Sequence, residues 1–237
     1  MVLEEYRARL APYLDRWIRP WLAWSPATLS ALGFGLLAVA GVLSLLVRYT
    51  TPYLFFPVAA LIFTGGIFDV LDGEVARRTG RTSSRGDFLD HVLDRYGDVA
   101  VLLGLAASGF AISWLALVAL VSVLLASYMG TQAQALGLGR VYRGLLSRAD
   151  RLLLLSAVAF LEFLLVLPPW VPGFSLARFT IAGVSLTVFD LLFVYFVVAG
   201  QWTVITRGRQ IWAGLGPAPR LPPPPPPPPD APPLDRP

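Results

Sequence analysis

Four aspartates at helical spacing form the pattern in this sequence with the clearest chemical meaning. They are Asp69, Asp72, Asp90 and Asp94, and they lie within hydrophobic sequence. Carboxylates in a membrane-embedded segment are costly, so each of them is a candidate functional residue. A cluster of anions is tolerated mainly where a cation lies among them, and carboxylate oxygens suit Mg²⁺ or Mn²⁺ better than zinc. The pattern therefore predicts a metal site with enough carboxylates for two ions.

The aspartates belong to a longer pattern, D-x2-D-G-x2-A-R-x8-G-x3-D-x3-D, whose other members are Gly73, Ala76, Arg77 and Gly86. Gly73 and Ala76 leave room for a ligand beside the helix backbone. Arg77 lies one turn beyond Gly73 and can donate to a phosphate. Gly86 opens the next helix, where a side chain would crowd a group bound at the helix N-terminus. These residue types indicate a phosphate-bearing ligand beside the metal.

The spacing also predicts where these side chains point. At about 100° per residue, Asp69, Asp72, Gly73 and Ala76 share one face of a helix. On the following helix one stripe holds four aspartates, Asp87, Asp90, Asp94 and Asp98. Facing stripes would give one acidic pocket between two helices.

The composition places this pocket in a membrane protein. Hydrophobic residues make up 56% of the 237 residues and charged residues 14%, which is too apolar for a soluble domain. There is no cysteine, which excludes disulfides and thiolate metal sites. The N-terminus lacks a short apolar run with a cleavage site, so no removable signal peptide is expected.

We expect an all-α integral membrane protein with six transmembrane helices and an N-terminal amphipathic helix on the membrane surface, at about residues 3–22. The expected spans are 27–46, 52–77, 87–108, 112–134, 151–167 and 179–206. The membrane domain covers residues 1–212. Residues 213–237 form a proline-rich disordered tail with eight consecutive prolines, Pro222 to Pro229.

Arginine placement predicts the orientation. Arginines are frequent before the first span, between spans two and three, between spans four and five, and after span six. The opposite side has only Arg48 and Arg178. By the positive-inside rule, both termini and the acidic pattern face the cytoplasm of a multi-pass protein in the cell membrane.

The complete pattern resembles, without a departure, the signature of the CDP-alcohol phosphatidyltransferases, and the resemblance covers residues 1 to about 210. It implies a two-metal site for Mg²⁺ or Mn²⁺ built by Asp69, Asp72, Asp90 and Asp94. It implies a CDP-linked lipid donor whose nucleotide is held by Asp69, Gly73, Ala76, Arg77 and Gly86. Asp94 would be the base for an attacking alcohol, CMP would be released, and the protein would be a homodimer in the lipid bilayer. No nucleic-acid partner is expected.

The acceptor is indicated by a second resemblance. The segment SYMGTQAQALG (Ser127 to Gly137) and the following SRADR stretch are similar to the family subgroup with sugar-phosphate acceptors, such as phosphatidylinositol and archaetidylinositol phosphate synthases. That similarity implies that Ser127, Arg148 and Arg207 surround the phosphate of an inositol phosphate acceptor. Gly130 and Gln132 stand where basic residues are frequent in the subgroup.

Three alternatives remain open from the sequence. The first is another acceptor within the family, such as glycerol 3-phosphate. The second is an intramembrane prenyltransferase, which also binds Mg²⁺-diphosphate through Asp-x-x-Asp pairs. The third is a cation transporter that uses buried carboxylates. Ester or ether linkage in the donor, and the roles of Glu162 and Asp190, are also open.

Overall fold

The computed structural model describes residues 15–139, 144–145, 147–166, 178–181 and 183–216. Most of the predicted amphipathic helix and nearly all of the proline-rich tail lie outside these residues. Within them, residues 15–18 are helical and lead into a 3-10 turn at Arg19–Ala23.

Six long helices make up most of the described chain. They are α1 (Pro26–Val47), α2 (Phe55–Thr79), α3 (Ser84–Ala107), α4 (Ser113–Ala135), α5 (Arg148–Val166) and α6 (Val188–Gly214). Four of them, α1, α2, α4 and α6, are long and apolar enough to cross a membrane. The other two, α3 and α5, carry several of the charged residues described below.

Local sequence explains where the helices around the acidic pattern begin and end. The Ser25 hydroxyl caps α1 by accepting from the Thr28 N–H, with Pro26 in the first turn. Gly80 ends α2 in a left-handed conformation, φ 65°. The Ser83 hydroxyl then caps α3 by accepting from the Gly86 N–H. The α2–α3 connection is therefore short and fixed at both ends.

The six helices form a closed ring in which each packs against two neighbours. α1 packs against α2 and α3, α3 against α4, α4 against α6, α6 against α5, and α5 against α2. One apolar core receives residues from all six helices, with Phe55, Phe189 and Phe193 among its largest buried side chains. Two close approaches hold α1 in place. Gly33 lies against Gly65 of α2, and Gly41 lies so near Gly104 of α3 that a Cβ on either would overlap backbone atoms.

The prediction of an all-α chain with a sixth span from Phe179 is wrong at that point. Residues Phe179–Ile181 and Val184–Leu186 form strands β1 and β2 of an antiparallel hairpin, and α6 begins only at Val188. Gly183 turns the hairpin with φ 81°. The segment is apolar enough to extend a predicted helix, but its β-branched residues and glycine suit a hairpin.

The hairpin lies at the end of the bundle opposite the acidic pattern. Arg178 donates to the Gly109 carbonyl at 2.9 Å, and Arg48 lies near the same glycine. Asp190 caps α6 at this end, accepting from Thr187 and, at 2.7 Å, from the Ile112 N–H. These contacts give a structural role to Asp190, one of the two residues left open by the sequence. The other, Glu162, is completely buried on α5.

Candidate active site

All eight positions of the acidic pattern line one cavity of about 510 Å³. Its walls come from the start of α1, the last third of α2 and the first half of α3, and Arg148 at the start of α5 also lines it. A cavity of this size accommodates a ligand of several hundred daltons. The helical faces expected from the spacing therefore do meet.

Three of the four predicted metal ligands come together in this cavity. Carboxylate oxygens of Asp69, Asp72 and Asp90 all lie within 4.8 Å of one another. Asp72 is only 4% exposed, and the other two are half-buried. Oxygen atoms at this separation can ligate one ion of the size of Mg²⁺ or Mn²⁺ with modest adjustment, and an all-oxygen set is the one these ions prefer. The residues thus fit a divalent cation.

Ser30 is a site residue that the sequence patterns missed. Its hydroxyl donates to Asp72 Oδ2 at 2.6 Å, linking α1 to the carboxylate cluster. This bond occupies one oxygen of Asp72 and fixes the orientation of the carboxylate. In the sequence Ser30 is one of several hydroxyl residues at the start of the first predicted span, and nothing in its spacing distinguishes it.

Arg148 reaches into the acidic cavity across 79 residues of sequence. Its Nη1 contacts Asp69 Oδ1 and lies 2.5 Å from Asp94 Oδ1. Its guanidinium therefore lies between one predicted metal ligand and the predicted base. Arginine donors at this position can neutralise a ligand phosphate brought to the same place.

Asp94 lines the cavity but stands outside the three-carboxylate group. Besides Arg148 it faces Arg95, whose Nη2 lies 3.5 Å from Asp94 Oδ2. Asp94 therefore faces two arginines and lies outside the cluster, whereas Asp69 shares Arg148 with it but also belongs to the three-carboxylate group. This difference in surroundings is compatible with a separate chemical duty for Asp94.

Of the predicted nucleotide-binding residues, Asp69 belongs to the carboxylate cluster, whereas Arg77 lies at the rim of the cavity. The Arg77 side chain is 67% exposed and donates to Glu74 at 2.7 Å. Its Nη1 also lies 3.4 Å from the place where a side chain on Gly73 would begin. A side chain on Gly86 would begin 3.2 Å from the Ser83 hydroxyl that caps α3. A side chain at Gly73 would therefore contact Arg77, and one at Gly86 would press on the Ser83 hydroxyl.

Two of the three predicted acceptor residues lie outside this cavity. Arg207 on α6 donates from Nη1 to the Ala126 carbonyl of α4 at 2.6 Å, beside Ser127. Thr203, one turn earlier, accepts from the Leu145 N–H at 3.2 Å and so ties the residues before α5 to α6. Arg151 lies close enough to both Arg148 and Arg207 for the charges to repel. Arg148 is therefore the predicted acceptor residue that the structure brings to the acidic cluster.

Comparison with known proteins identifies the family. The family model described as CDP-alcohol phosphatidyltransferase matches residues 24–142, half of the chain. This chain belongs to the CDP-alcohol phosphatidyltransferase family. The resemblance seen in the signature is thus confirmed, and the protein is a transferase of the multi-pass membrane class. Membership also decides between the reaction classes left open by the sequence, against prenyl transfer and cation transport.

Curated relatives carry two related names. An archaetidylinositol phosphate synthase of Methanothermobacter thermautotrophicus is 32% identical over 157 residues, which are 66% of this chain and 70% of that relative. A phosphatidylinositol phosphate synthase of Cutibacterium acnes is 43% identical over 91 residues, 36% of this chain and 44% of the relative. Both matches thus concern part of each protein.

Solved structures share the fold. The chain superposes on a phosphatidylinositol phosphate synthase of Mycobacterium tuberculosis with manganese and citrate bound, at a TM-score of 0.61 and 24% identity, covering 84% of this chain and 88% of that one. The same enzyme with CDP-DAG bound gives a TM-score of 0.60 at 23% identity, covering 86% and 94%.

Proposed function

We propose that this protein transfers a phosphatidyl-type group from a CDP-linked lipid to the hydroxyl of inositol phosphate and releases CMP. The observation that carries the proposal is the single cavity lined by the complete signature together with Arg148. The relatives named archaetidylinositol phosphate synthase and phosphatidylinositol phosphate synthase support this acceptor. The lipid is of the diacylglycerol or the archaeol type, according to the donor that the cell supplies.

The carboxylate cluster supports a divalent-metal requirement. Asp69, Asp72 and Asp90 would hold Mg²⁺ or Mn²⁺, and Asp94 would complete a set for two ions. Bound there, the metal supplies charge neutralisation for the diphosphate of the donor. A solved relative in complex with manganese agrees with this chemistry.

The reaction then needs a base and correct positioning. Asp94 accepts the proton of the acceptor hydroxyl, whose oxygen attacks the phosphorus that bears the lipid. The bond from that phosphorus to the CMP oxygen breaks, and CMP leaves with the electron pair. Arg77 and the small residues Gly73, Ala76 and Gly86 would orient the nucleotide at the rim. Proximity of the reacting groups supplies most of the remaining rate enhancement.

The position of Arg148 favours a phosphorylated acceptor. The hydroxyl that reacts and the phosphate that is bound belong to one small molecule, so their protein partners must lie a few ångströms apart. Arg148 and Asp94 meet this condition, since Arg148 Nη1 lies 2.5 Å from Asp94 Oδ1. Arg207 and Ser127 would extend the phosphate site toward α4 and α6.

An apolar cleft beside the cavity fits the hydrocarbon part of the donor. The cleft has a volume of about 270 Å³, lies between α2 and α5, and includes Trp17 of the N-terminal segment. Two of its lining residues, Val70 and Ala149, directly follow the cavity residues Asp69 and Arg148. A lipid whose diphosphate lies in the cavity could therefore place a chain in the cleft.

The decisive experiment is an acceptor screen with purified protein. CMP release is measured with Mg²⁺ or Mn²⁺, CDP-diacylglycerol or CDP-archaeol, and one acceptor at a time: inositol phosphate, glycerol 3-phosphate, inositol or serine. We expect release only with inositol phosphate. Release with glycerol 3-phosphate alone would assign the other acceptor, and Asp72→Asn serves as the inactive control.

A second test examines the acceptor residues. A charge-assisted arginine–phosphate bond contributes about 1.5–3 kcal/mol, roughly a ten- to hundredfold change in binding. Arg148→Ala and Arg207→Ala should therefore raise the KM for inositol phosphate far more than the KM for the CDP-lipid. Unchanged acceptor kinetics in both variants would contradict a phosphorylated acceptor.

A further inference from the structure

The acidic stripe of α3 continues one turn beyond the signature, to Asp98. This carboxylate does not line the cavity and is only 3% exposed. Its Oδ2 accepts from Arg151 Nη2 at 2.8 Å, and Arg151 is itself 4% exposed. A buried ion pair of this kind is weak evidence for a purely stabilising role, because apolar residues of similar size often serve stability equally well.

The side chain of Arg148, at the start of α5, lies against the same turn of α3. Arg148 Nη1 lies 2.5 Å from Asp94 Oδ1, and its Nε lies 3.9 Å from Asp98 Oδ1. Between these two carboxylates Gly97 has no side chain, and Arg148 Nη2 lies 3.7 Å from where one would begin. Residues at i, i+3 and i+4 share one face of a helix, so Asp94, Gly97 and Asp98 together form a seat for this guanidinium.

Charge explains why the seat needs two carboxylates. Arg148 and Arg151 repel each other from adjacent turns of α5. Arg95 adds a third guanidinium, 3.5 Å from Asp94 and 3.8 Å from Asp98. Arg148 also contacts Asp69, but without Asp98 the buried Arg151 would lose its 2.8 Å partner and Arg95 would face Asp94, the proposed base, alone. Asp98 supplies a second anion that receives Arg151 directly and leaves Asp94 facing the cavity.

We propose that Asp98 is a positioning residue for the acceptor. Paired with Arg151, it holds the Arg148 guanidinium beside Asp94, so that an acceptor whose phosphate binds Arg148 has its hydroxyl next to the base. This inference rests on the proposed role of Arg148 in binding the acceptor phosphate. It concerns a residue outside the signature that touches no substrate and acts through Arg148.

The test measures KM for each substrate in Asp98→Asn. Since displacement of a positioning group by about 1 Å can cost up to a hundredfold, we expect the KM for inositol phosphate to rise about ten- to hundredfold. The KM for CDP-lipid and the affinity for Mn²⁺, measured by electron paramagnetic resonance, should change by less than about twofold. An unchanged acceptor KM, or an equal rise for both substrates, would overturn the proposal.

A mutant cycle tests whether Asp98 acts through Arg148. In the Arg148→Gln background, Asp98→Asn should add less than about twofold to the acceptor KM, because the group that it positions is already gone. Full additivity of the two changes would overturn the proposal. If Arg148→Gln itself leaves the acceptor KM unchanged, the proposed role of Arg148 fails and this inference fails with it. An effect of Arg148→Gln without one of Asp98→Asn overturns this inference alone.

A second variant guards against misfolding, because an unpaired buried Arg151 is destabilising. Asp98→Leu combined with Arg151→Leu removes both charges, and its thermal unfolding in detergent should resemble that of the unmodified protein. We expect it to show the same selective rise in acceptor KM, whereas a normal acceptor KM would refute the positioning role. Glu162→Gln, which alters a buried carboxylate near the other end of α5, is the matched control and should leave the acceptor KM unchanged.

Discussion

At the scale of single residues, removal of the hydrogen bond from Ser30 to Asp72 should have the most specific effect on the carboxylate cluster. Ser30→Ala would leave an oxygen of a buried carboxylate without its donor, at a cost of about 1–3 kcal/mol. If the cluster binds metal, a misoriented Asp72 should weaken Mn²⁺ binding by roughly five- to hundredfold, as measured by electron paramagnetic resonance. Ser30→Thr keeps the hydroxyl and should restore most of the affinity. Equal Mn²⁺ affinity in Ser30→Ala would show that Asp72 needs no donor.

Substitution of Asp94 should affect CDP binding and turnover differently from substitution of the three clustered aspartates. Asp94→Asn keeps the size and one oxygen but cannot take a proton, and a positioned base contributes about 10²–10⁴-fold. CMP release should fall by at least this range, while metal-dependent CDP binding by calorimetry persists within about tenfold.

Asp69→Asn and Asp72→Asn provide the comparison, since each should lose CDP binding and turnover together. Near-normal turnover in Asp94→Asn would exclude Asp94 as the base.

The sequence predicted the eight signature positions that line the cavity, but it did not predict their partners. The signature spacing was sufficient to bring eight positions onto facing helical surfaces. Ser30 and Asp98, in contrast, matter through contacts with residues 42 and 53 positions away. Helical periodicity states which residues share a face, and it does not state which face of α1 or α5 meets that surface. These contacts required the packed helices.

At the scale of helices, the close approach of α1 to α3 should be the packing contact that tolerates least change. Gly41→Ala would place a methyl group against the Ala100 backbone, so the two helices would have to separate. We expect a loss of about 1–3 kcal/mol in stability, seen as a lower unfolding temperature in detergent.

Gly35→Ala is the matched control on the same helix. Apart from its chain neighbours and the backbone of its own helix, no atom of the described residues lies within 4 Å of the position of its added methyl group. Since alanine favours helix over glycine by up to about 1 kcal/mol, this variant should be as stable as the unmodified protein or more so. Equal unfolding temperatures for Gly35→Ala and Gly41→Ala would contradict the tight α1–α3 contact.

Hydropathy predicted the helices well and their ends less well. The four helices that are long and apolar enough to cross a membrane correspond to predicted spans one, two, four and six. The error at the sixth span arose because FTIAGVSL is apolar whether it forms a hairpin or a helix. Periodicity over so few residues does not distinguish the two, and the positive φ of Gly183 becomes evident only in the folded chain.

At the scale of the whole molecule, the two ends of the bundle should face different compartments. Both termini and the acidic cavity are expected in the cytoplasm, and the end that bears Arg48 and Arg178 outside it. The chain contains no cysteine, so single-cysteine variants can be labelled without background. In intact cells an impermeant maleimide should label Tyr49→Cys and spare Arg85→Cys, while permeabilised cells should show both. The reverse pattern would invert the topology.

The apolar cleft between α2 and α5 opens at the side of the bundle, among exposed residues such as Phe63, Val70 and Leu153. If the donor enters there, it arrives by lateral diffusion within a leaflet, and its relevant concentration is a mole fraction. Diluting donor-containing proteoliposomes into buffer should then leave donor saturation unchanged, whereas adding inert lipid to the vesicles should lower it. The acceptor arrives from water, so its saturation should fall on dilution into buffer and stay unchanged when inert lipid is added. A rate governed by the bulk amount of donor would mean that the enzyme takes its lipid from solution.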